Sequence, residues 1–304
     1  MVKPRFDFAI ATMFLFATGF LPQGRSPEMV VDELLAADRA FSAASVKTDL
    51  IAGLTPMFAD DVVMGPIPGN RFAHGIAEVR VALNANPDNA GSRLEWTPIR
   101  GGVSADGRHG FTFGYMTLHK ADKSAVPVKY LSYWIRGPDG WRVAVYKRGR
   151  RPEGAVSTAL MPAALPPRMV ASSNDASALE RFRESLDQAE RAFSDEAQKI
   201  GLGAAFVKYG TTDAVNMGGP NAPGFVIGSE AIGRAVSAGD PPGASPVSWA
   251  PDRVIVAGSG DLGVTIGMIR PNAKAADGST PAGFPFFTIW RRPTPNDPWR
   301  YVAE

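Results

Sequence analysis

The 304-residue sequence contains no cysteine. That excludes disulfides, thiolate zinc sites, a cysteine nucleophile and a lipidated N-terminal cysteine. Histidine is almost as scarce: His74, His109 and His119 are the three, all in the first half. Charge of one sign is also missing, since 32 basic and 30 acidic residues leave a formal net charge of +2. So weak a field draws a protein neither to nucleic acid nor to an anionic membrane surface, and no nucleic-acid partner is expected. The GK[ST] of a phosphate loop, the Gly-x-Ser-x-Gly elbow and the HExxH zinc helix are absent too. Asp60-Asp61 has no ligand motif nearby and reads as a helix-to-strand turn. No metal and no cofactor are expected.

Long apolar runs are few. Phe8–Leu21 is interrupted only by Thr12, Thr18 and Gly19, and Lys3 and Arg5 precede it. It falls short of the ~18–20 residues of a spanning helix. A basic start and an apolar stretch of this length resemble a secretory signal peptide, so a periplasmic or secreted protein is expected. An uncleaved anchor is the alternative, and no membrane insertion is expected beyond that segment.

What is present is a repeat. Trp96–Gly114 reads WTPIRGGVSADGRHGFTFG and returns at Trp249–Gly267 as WAPDRVIVAGSGDLGVTIG. Trp, Pro and two Gly recur in register, which makes the chain a tandem duplication. Asp38-Arg39-Ala40-Phe41-Ser42 likewise returns as Glu190-Arg191-Ala192-Phe193-Ser194.

Around the repeat the elements follow one order. Ser26-Pro27-Glu28 starts a helix that runs to about Ser45, with Val30, Leu34 and Phe41 on one face. A shorter helix spans about Asp49–Phe58, with Thr48 as a candidate cap and Pro56 disturbing it. Val62 begins a strand, Gly75–Leu83 is a third helix, and four extended segments follow: Leu94–Ile99, Gly110–His119, Val128–Ile135 and Trp141–Lys147. Asp106-Gly107 and Asp139-Gly140 supply tight turns. In the second half, Ser177-x-x-Glu180 reads as a capping box. The prediction is an α+β chain of two tandem cone-shaped units, each a curved antiparallel sheet wrapped around about three helices. Residues 1–27 are the leader or anchor, 28–150 the first unit, 151–176 a Pro/Ala/Ser-rich linker and 177–304 the second unit. The linker, with Pro152, Pro162, Pro166 and Pro167, is expected to be extended and mobile, with Met161, Leu165 and Met169 as possible pins. Nothing is expected to follow the last strand.

The Trp-x-Pro strand, the Asp-Gly turn into Gly-Phe-Thr-Phe-Gly, and the closing Trp-Ile-Arg and Asp-Gly-Trp-Arg resemble the SnoaL-like, nuclear-transport-factor-2-like superfamily, in particular its uncharacterised exported bacterial members. The resemblance implies a cone with an apolar pocket at its open end. It also implies that sheets pair, so the two halves would pack on each other, with a homo-oligomer possible. It implies no single activity, since one fold hosts many. The ketosteroid isomerase pattern in that superfamily needs a carboxylate just after the first strand and a Tyr on the first helix. Here those places hold Met64-Gly65-Pro66 and Met217-Gly218-Gly219, and Phe41 and Phe193, which disfavours that chemistry in both halves.

If Phe111, Phe113 and Tyr115 face the first pocket, strand alternation places His119 with them. His74 precedes the third helix, near the pocket mouth. His74 and His119 are therefore the candidate bases, with Tyr115 as donor and Phe111, Phe113, Tyr115, His119, Tyr133 and Trp134 as pocket lining. The competing reading puts the histidines on the surface and Trp134 in the core; His109 reads as exposed. Lys147-Arg148-Gly149-Arg150-Arg151 reads as a solvated domain edge. The second half places Asn272 at His119 and Ile227 at His74, so chemistry is expected in the first half and a structural or ligand-holding copy in the second. Binding of a small apolar molecule in the first-half pocket is the leading functional expectation. A cofactor-independent cyclase, dehydratase or isomerase is the alternative, and a structural interaction module with filled cones the third.

Overall fold

The computed structural model describes residues 24–304; the leader reading at residues 1–23 lies outside them. In the first half, α1 (Pro27–Ser45) is capped by Ser26, whose hydroxyl accepts from the Met29 amide at 3.3 Å. α2 (Leu50–Leu54) is capped by Asp49 rather than Thr48, because Asp49 Oδ1 reaches the amides of Ile51 and Ala52 at 3.0 and 3.1 Å. Pro56 cuts α2 short, leaving one 3₁₀ turn at Thr55–Met57. Then come β1 (Phe58–Ile67), β2 (Arg71–His74), α3 (Gly75–Ala85), β3 (Arg93–Val103), β4 (His109–His119), β5 (Ala125–Gly137) and β6 (Gly140–Arg150). Asp60 and Asp61 thus lie inside β1, not in a turn.

The second half repeats this order: α4 (Ala176–Ile200), α5 (Leu202–Tyr209), β7 (Gly210–Asn216), β8 (Val226–Ile227), α6 (Ser229–Val236), β9 (Val247–Val256), β10 (Leu262–Pro271), β11 (Phe284–Arg291) and β12 (Arg300–Ala303). The cap of α4 is Asp175, which accepts from the Ser177 amide at 3.0 Å, in place of the expected Ser177 box. The sheet orders are β2-β1-β6-β5-β4-β3 and β8-β7-β12-β11-β10-β9. Both sheets are mixed rather than wholly antiparallel. The last strand of each half returns beside the first and pairs with it in parallel, β6 on β1 and β12 on β7.

The recurring residues have physical reasons to recur. A Cβ on Gly114 would lie 2.1 Å from the Thr97 carbonyl, and one on Gly267 2.1 Å from that of Ala250. Both glycines sit where a bulge beside Pro98 or Pro251 presses the neighbouring strand inward. Gly110 and Gly263 give way to Leu34 of α1 and Leu186 of α4, the helix residues seated on each sheet. The acid and serine four residues apart on the first helix of each half grip the repeated tryptophan. Trp96 Nε1 donates to Asp38 Oδ1 at 2.6 Å, and its amide to Ser42 Oγ at 2.7 Å. Trp249 does the same with Glu190 Oε1 at 2.6 Å and Ser194 Oγ at 2.9 Å.

Each cone has its own core, one around Leu34, Trp96, Trp134 and Tyr146, the other around Leu186, Phe193, Trp249 and Trp290. A third cluster draws on both halves, with Phe111, Phe113, Leu131 and Tyr133 packed with Leu262, Val264, Ile266 and Phe287. Reciprocal pairs flank it. Arg100 bonds the carboxylate and, at 2.7 Å, the carbonyl of Asp213, while Arg253 meets Asp61 at 2.9 Å. Arg100 and Arg253 are equivalent positions of the repeat, as are Asp61 and Asp213, so the contact is of the self-complementary kind seen between two-fold copies. The linker is extended but bonded along its path: Met161 and Ala164 donate to Ile99 and Gly101 at 2.7 and 2.9 Å, and Ser173 to Gly258 at 3.0 Å. It lies along β3, with Leu165 and Met169 packed on the first core. Among the described residues no helix is long and apolar enough to cross a membrane.

Candidate ligand cavity in the second half

The aromatic residues proposed as pocket lining face elsewhere. Phe111, Phe113 and Tyr133 point out of the first cone into the cluster shared by the two halves. Trp134 is fully buried in the first core, its Nε1 donating to Thr112 Oγ1 at 2.8 Å. Tyr115 packs against Phe225 in a tilted pair, ring centroids 5.3 Å apart, beside a groove between linker and second half. His119 is solvent-facing and meets Glu95 at 2.9 Å, and His74 is exposed at the start of α3. None of these residues lines either cone cavity. The reason is that the sheet is buried on both faces. Apolar residues then occupy both phases of each strand, and alternation no longer tells inside from outside. His109, read as exposed, is instead half-buried and bonds Tyr133 Oη through Nδ1 at 2.9 Å. Burial pushes its imidazole down to about 4, so it stays neutral near pH 7.

The first cone encloses only 170 Å³, at a mouth lined by Met64, Leu83, Leu118, Val128 and Arg148. Arg148 donates to Asn89 Oδ1 at 3.0 Å there, and Arg150 pairs with Asp88. Tyr130 and Tyr146 are buried in its core. Tyr130 Oη donates to Asp38 Oδ2 at 2.8 Å, and Tyr146 Oη to Met116 Sδ at 3.4 Å.

The second cone holds 510 Å³, a volume suited to a small organic molecule. Phe193, Leu202, Phe206, Trp249, Ile269 and Phe286 form apolar walls. Its polar groups are Asn216, Thr288 and Glu304 of the second half and Lys147 of the first. Glu304 follows β12 and accepts from the Asn216 amide. Lys147, on β6, sits 4.5 Å above the Phe287 ring, with the Phe287 carbonyl 3.5 Å away. Burial pushes the Glu304 carboxyl up and the Lys147 ammonium down; the opposite charge of each partner acts against both shifts. A further lysine of the first half, Lys129, is fully buried and donates to the carbonyls of Met217, Ala222 (2.8 Å) and Gly224 (3.1 Å). It thereby holds the loop whose first residues, Met217–Gly219, line the cavity. Burial pushes Lys129 down to about 8.

Behind this cavity, Glu190 binds both indoles, Trp249 at 2.6 Å and Trp290 at 2.8 Å, together with the Thr265 hydroxyl. Burial pushes its carboxyl up to about 7, against those three hydrogen bonds. Its partners are all protein groups and it lines no cavity, so its part is structural. Among the described residues no group of three or more His, Asp or Glu is placed to hold a metal ion. Sequence reasoning missed Lys147, Asn216 and Glu304. Lys147 was inside a basic run read as solvated, and no local pattern marks the other two.

No family model matches the chain, and no curated protein matches it. Solved structures similar to it are NTF2-like, ketosteroid isomerase-like and cystatin-like-fold proteins, each covering about 40% of the chain. An NTF2-like protein with a cystatin-like fold from Novosphingobium aromaticivorans is 14% identical over 41% of this chain and 83% of its own, with a TM-score of 0.33. A ketosteroid isomerase-like protein from Erwinia carotovora atroseptica is 18% identical over 40% of this chain and 99% of its own, with a TM-score of 0.32. An NTF2-like protein of unknown function from Shewanella oneidensis is 13% identical over 38% of this chain and 96% of its own, with a TM-score of 0.32.

Proposed function

We propose that the protein binds a small, mainly apolar molecule in the second-half cavity and works outside the cytoplasm. The observation that carries the binding reading is the 510 Å³ space walled by aromatic and aliphatic side chains, with its few polar groups limited to Asn216, Thr288, Glu304 and Lys147. The basic, apolar N-terminal stretch supports export. This reading puts the site in the second half rather than in the first, where the sequence led one to expect it, because tyrosines fill most of the first cone. The test is thermal unfolding of the purified protein against a library of apolar metabolites. Ligand at 100 times its Kd adds about 2.7 kcal/mol of stability, a readable rise in Tm. Glu304→Tyr, which places in the second cone the residue that fills the first, is expected to remove the rise. No rise with any compound would sink the binding reading. Recovery of the full-length protein in the cytoplasmic fraction would sink export.

One observation favours a second reading. A carboxyl pushed up and an ammonium pushed down, both facing an apolar cavity, are groups suited to proton transfer. A cofactor-independent isomerase or dehydratase would use Glu304 and Lys147 rather than a histidine. Turnover abolished by Glu304→Gln, with the fold intact, would select it over simple binding.

A further inference from the structure

The polar end of this cavity is built from two opposite charges that do not satisfy each other. Lys147 arrives from β6 of the first half and Glu304 from the end of β12, and both line the same space. Glu304 accepts from the Asn216 amide, whose own carbonyl is already taken by the Gly218 amide at 2.6 Å. Its carboxylate has room for more donors. The Lys147 ammonium carries three protons; it faces the Phe287 ring and makes one long hydrogen bond, at 3.5 Å, to the Phe287 carbonyl. The two groups feel each other as charges, without a hydrogen bond joining them.

We propose that the cavity selects an apolar molecule bearing one uncharged hydroxyl, an alcohol or a phenol, whose oxygen accepts a hydrogen bond from Lys147 while its O–H donates one to Glu304. This rests on the binding reading above and names the ligand class for that site. A hydroxyl is the small group that both donates and accepts, so it completes both partners at once. A carboxylate would set a second negative charge beside Glu304, and an ammonium a second positive charge beside Lys147. A bare hydrocarbon would fit the aromatic walls but strip water from both charges and give nothing back. Because Lys147 belongs to the other half, the site is complete only when the halves are packed together.

The test is isothermal titration of the intact protein with four ligands of one ring system: 2-naphthol, naphthalene, 2-naphthoate and the ammonium 2-naphthylmethylamine. The expected order places 2-naphthol at least tenfold tighter than each of the other three. Glu304→Gln and Lys147→Met should each bring the naphthol-to-naphthalene ratio close to one. Equal affinity of naphthol and naphthalene in the unmodified protein would overturn the ligand class and leave the apolar cavity standing. Tightest binding of 2-naphthoate or of the amine would overturn it in favour of one charge acting alone. No binding by any of the four would overturn the ligand class and the binding reading together.

Discussion

The two halves share a backbone plan and differ in what fills it. The first cone keeps 170 Å³ open and the second 510 Å³. Strand register aligns the positions that matter. Tyr130 and Phe286 face Gly114 and Gly267, and Asp38, which accepts from that phenol, stands where the second half has the longer Glu190. Phe58 and Val143 pair in the first half where Gly210 and Tyr301 pair in the second. A Cβ on Gly210 would sit 2.6 Å from the Tyr301 ring, so the aromatic has crossed from one strand to its neighbour. The first of these exchanges conserves volume; the second does not, since Gly and Tyr together are smaller than Phe and Val. A third also gives up bulk: Val145 and Ala303 hold equivalent places beside Val63 and Val215, which sets Glu304 at the position of Tyr146. α6 is also shorter than α3, with 8 residues against 11. A cavity arises here from uncompensated exchanges on a packed scaffold.

The largest effect expected from testing this contrast comes from hollowing the first cone. Tyr146→Ala should lose about 3–5 kcal/mol in urea unfolding, as aromatic-to-alanine changes in cores do. A loss below about 1 kcal/mol would show that the first cone is not packed against that ring.

Glu190→Gln comes next, with a loss of about 1–3 kcal/mol, because the amide NH2 would turn a donor toward two indole donors and a hydroxyl. Here pH sharpens the test. The folded carboxyl titrates near 7 and its ordinary value is 4.5, so between those values the folded protein holds a proton that the unfolded chain has released. Stability from this group is full below pH 4.5 and is lost as pH rises through about 7. The gap between wild type and Glu190→Gln should therefore narrow from pH 5 to pH 8. Parallel stability curves would refute the assignment. Asp38→Asn should show a gap that narrows in the same direction, since burial raises Asp38 as well.

The reciprocal arginines offer a comparison at equal topology. Arg100 is buried and Arg253 exposed. Arg100→Ala is expected to cost about 1–3 kcal/mol and Arg253→Ala less than about 1 kcal/mol. Equal losses would mean that burial does not distinguish the two contacts. The smallest effect belongs to His119→Ala, which removes an exposed pair worth about 0–1 kcal/mol and should leave ligand affinity unchanged. A loss of affinity there would return the site to the first half.

The fold was legible because its marks are local and occur twice. Trp96 and Trp249 recur with an acid and a serine on the first helix, and Gly114 and Gly267 recur because a carbonyl occupies the space of their Cβ. Helix starts were legible to within a residue or two. The caps were misassigned at Asp49 and Asp175, where an aspartate carboxylate rather than a neighbouring hydroxyl accepts from the first-turn amides. The candidate site was not legible, for three reasons. Phe111 and Phe113 looked like pocket walls because both faces of their strand are apolar, and only the packing of the two halves decides which face is which. Lys147 looked solvated because its neighbours Arg148 and Arg150 do bond at the rim. Glu304 matters through a difference from Tyr146 that appears only once strand register is known. Three histidines in one half were a chemical signal that lines neither cone cavity, while the larger cavity lay in the half without histidine.

The reciprocal contact between the halves has one more consequence. In an assembly of identical copies, each substitution is made on every copy, so hollowing one cone hollows its partner and doubles the loss of packing. Joined in a single chain by the segment lying along β3, the halves are free of that rule. One can stay solid and carry the stability while its sibling gives up a side chain and opens. Duplication of this kind separates the part that keeps the molecule folded from the part that is free to change what it holds.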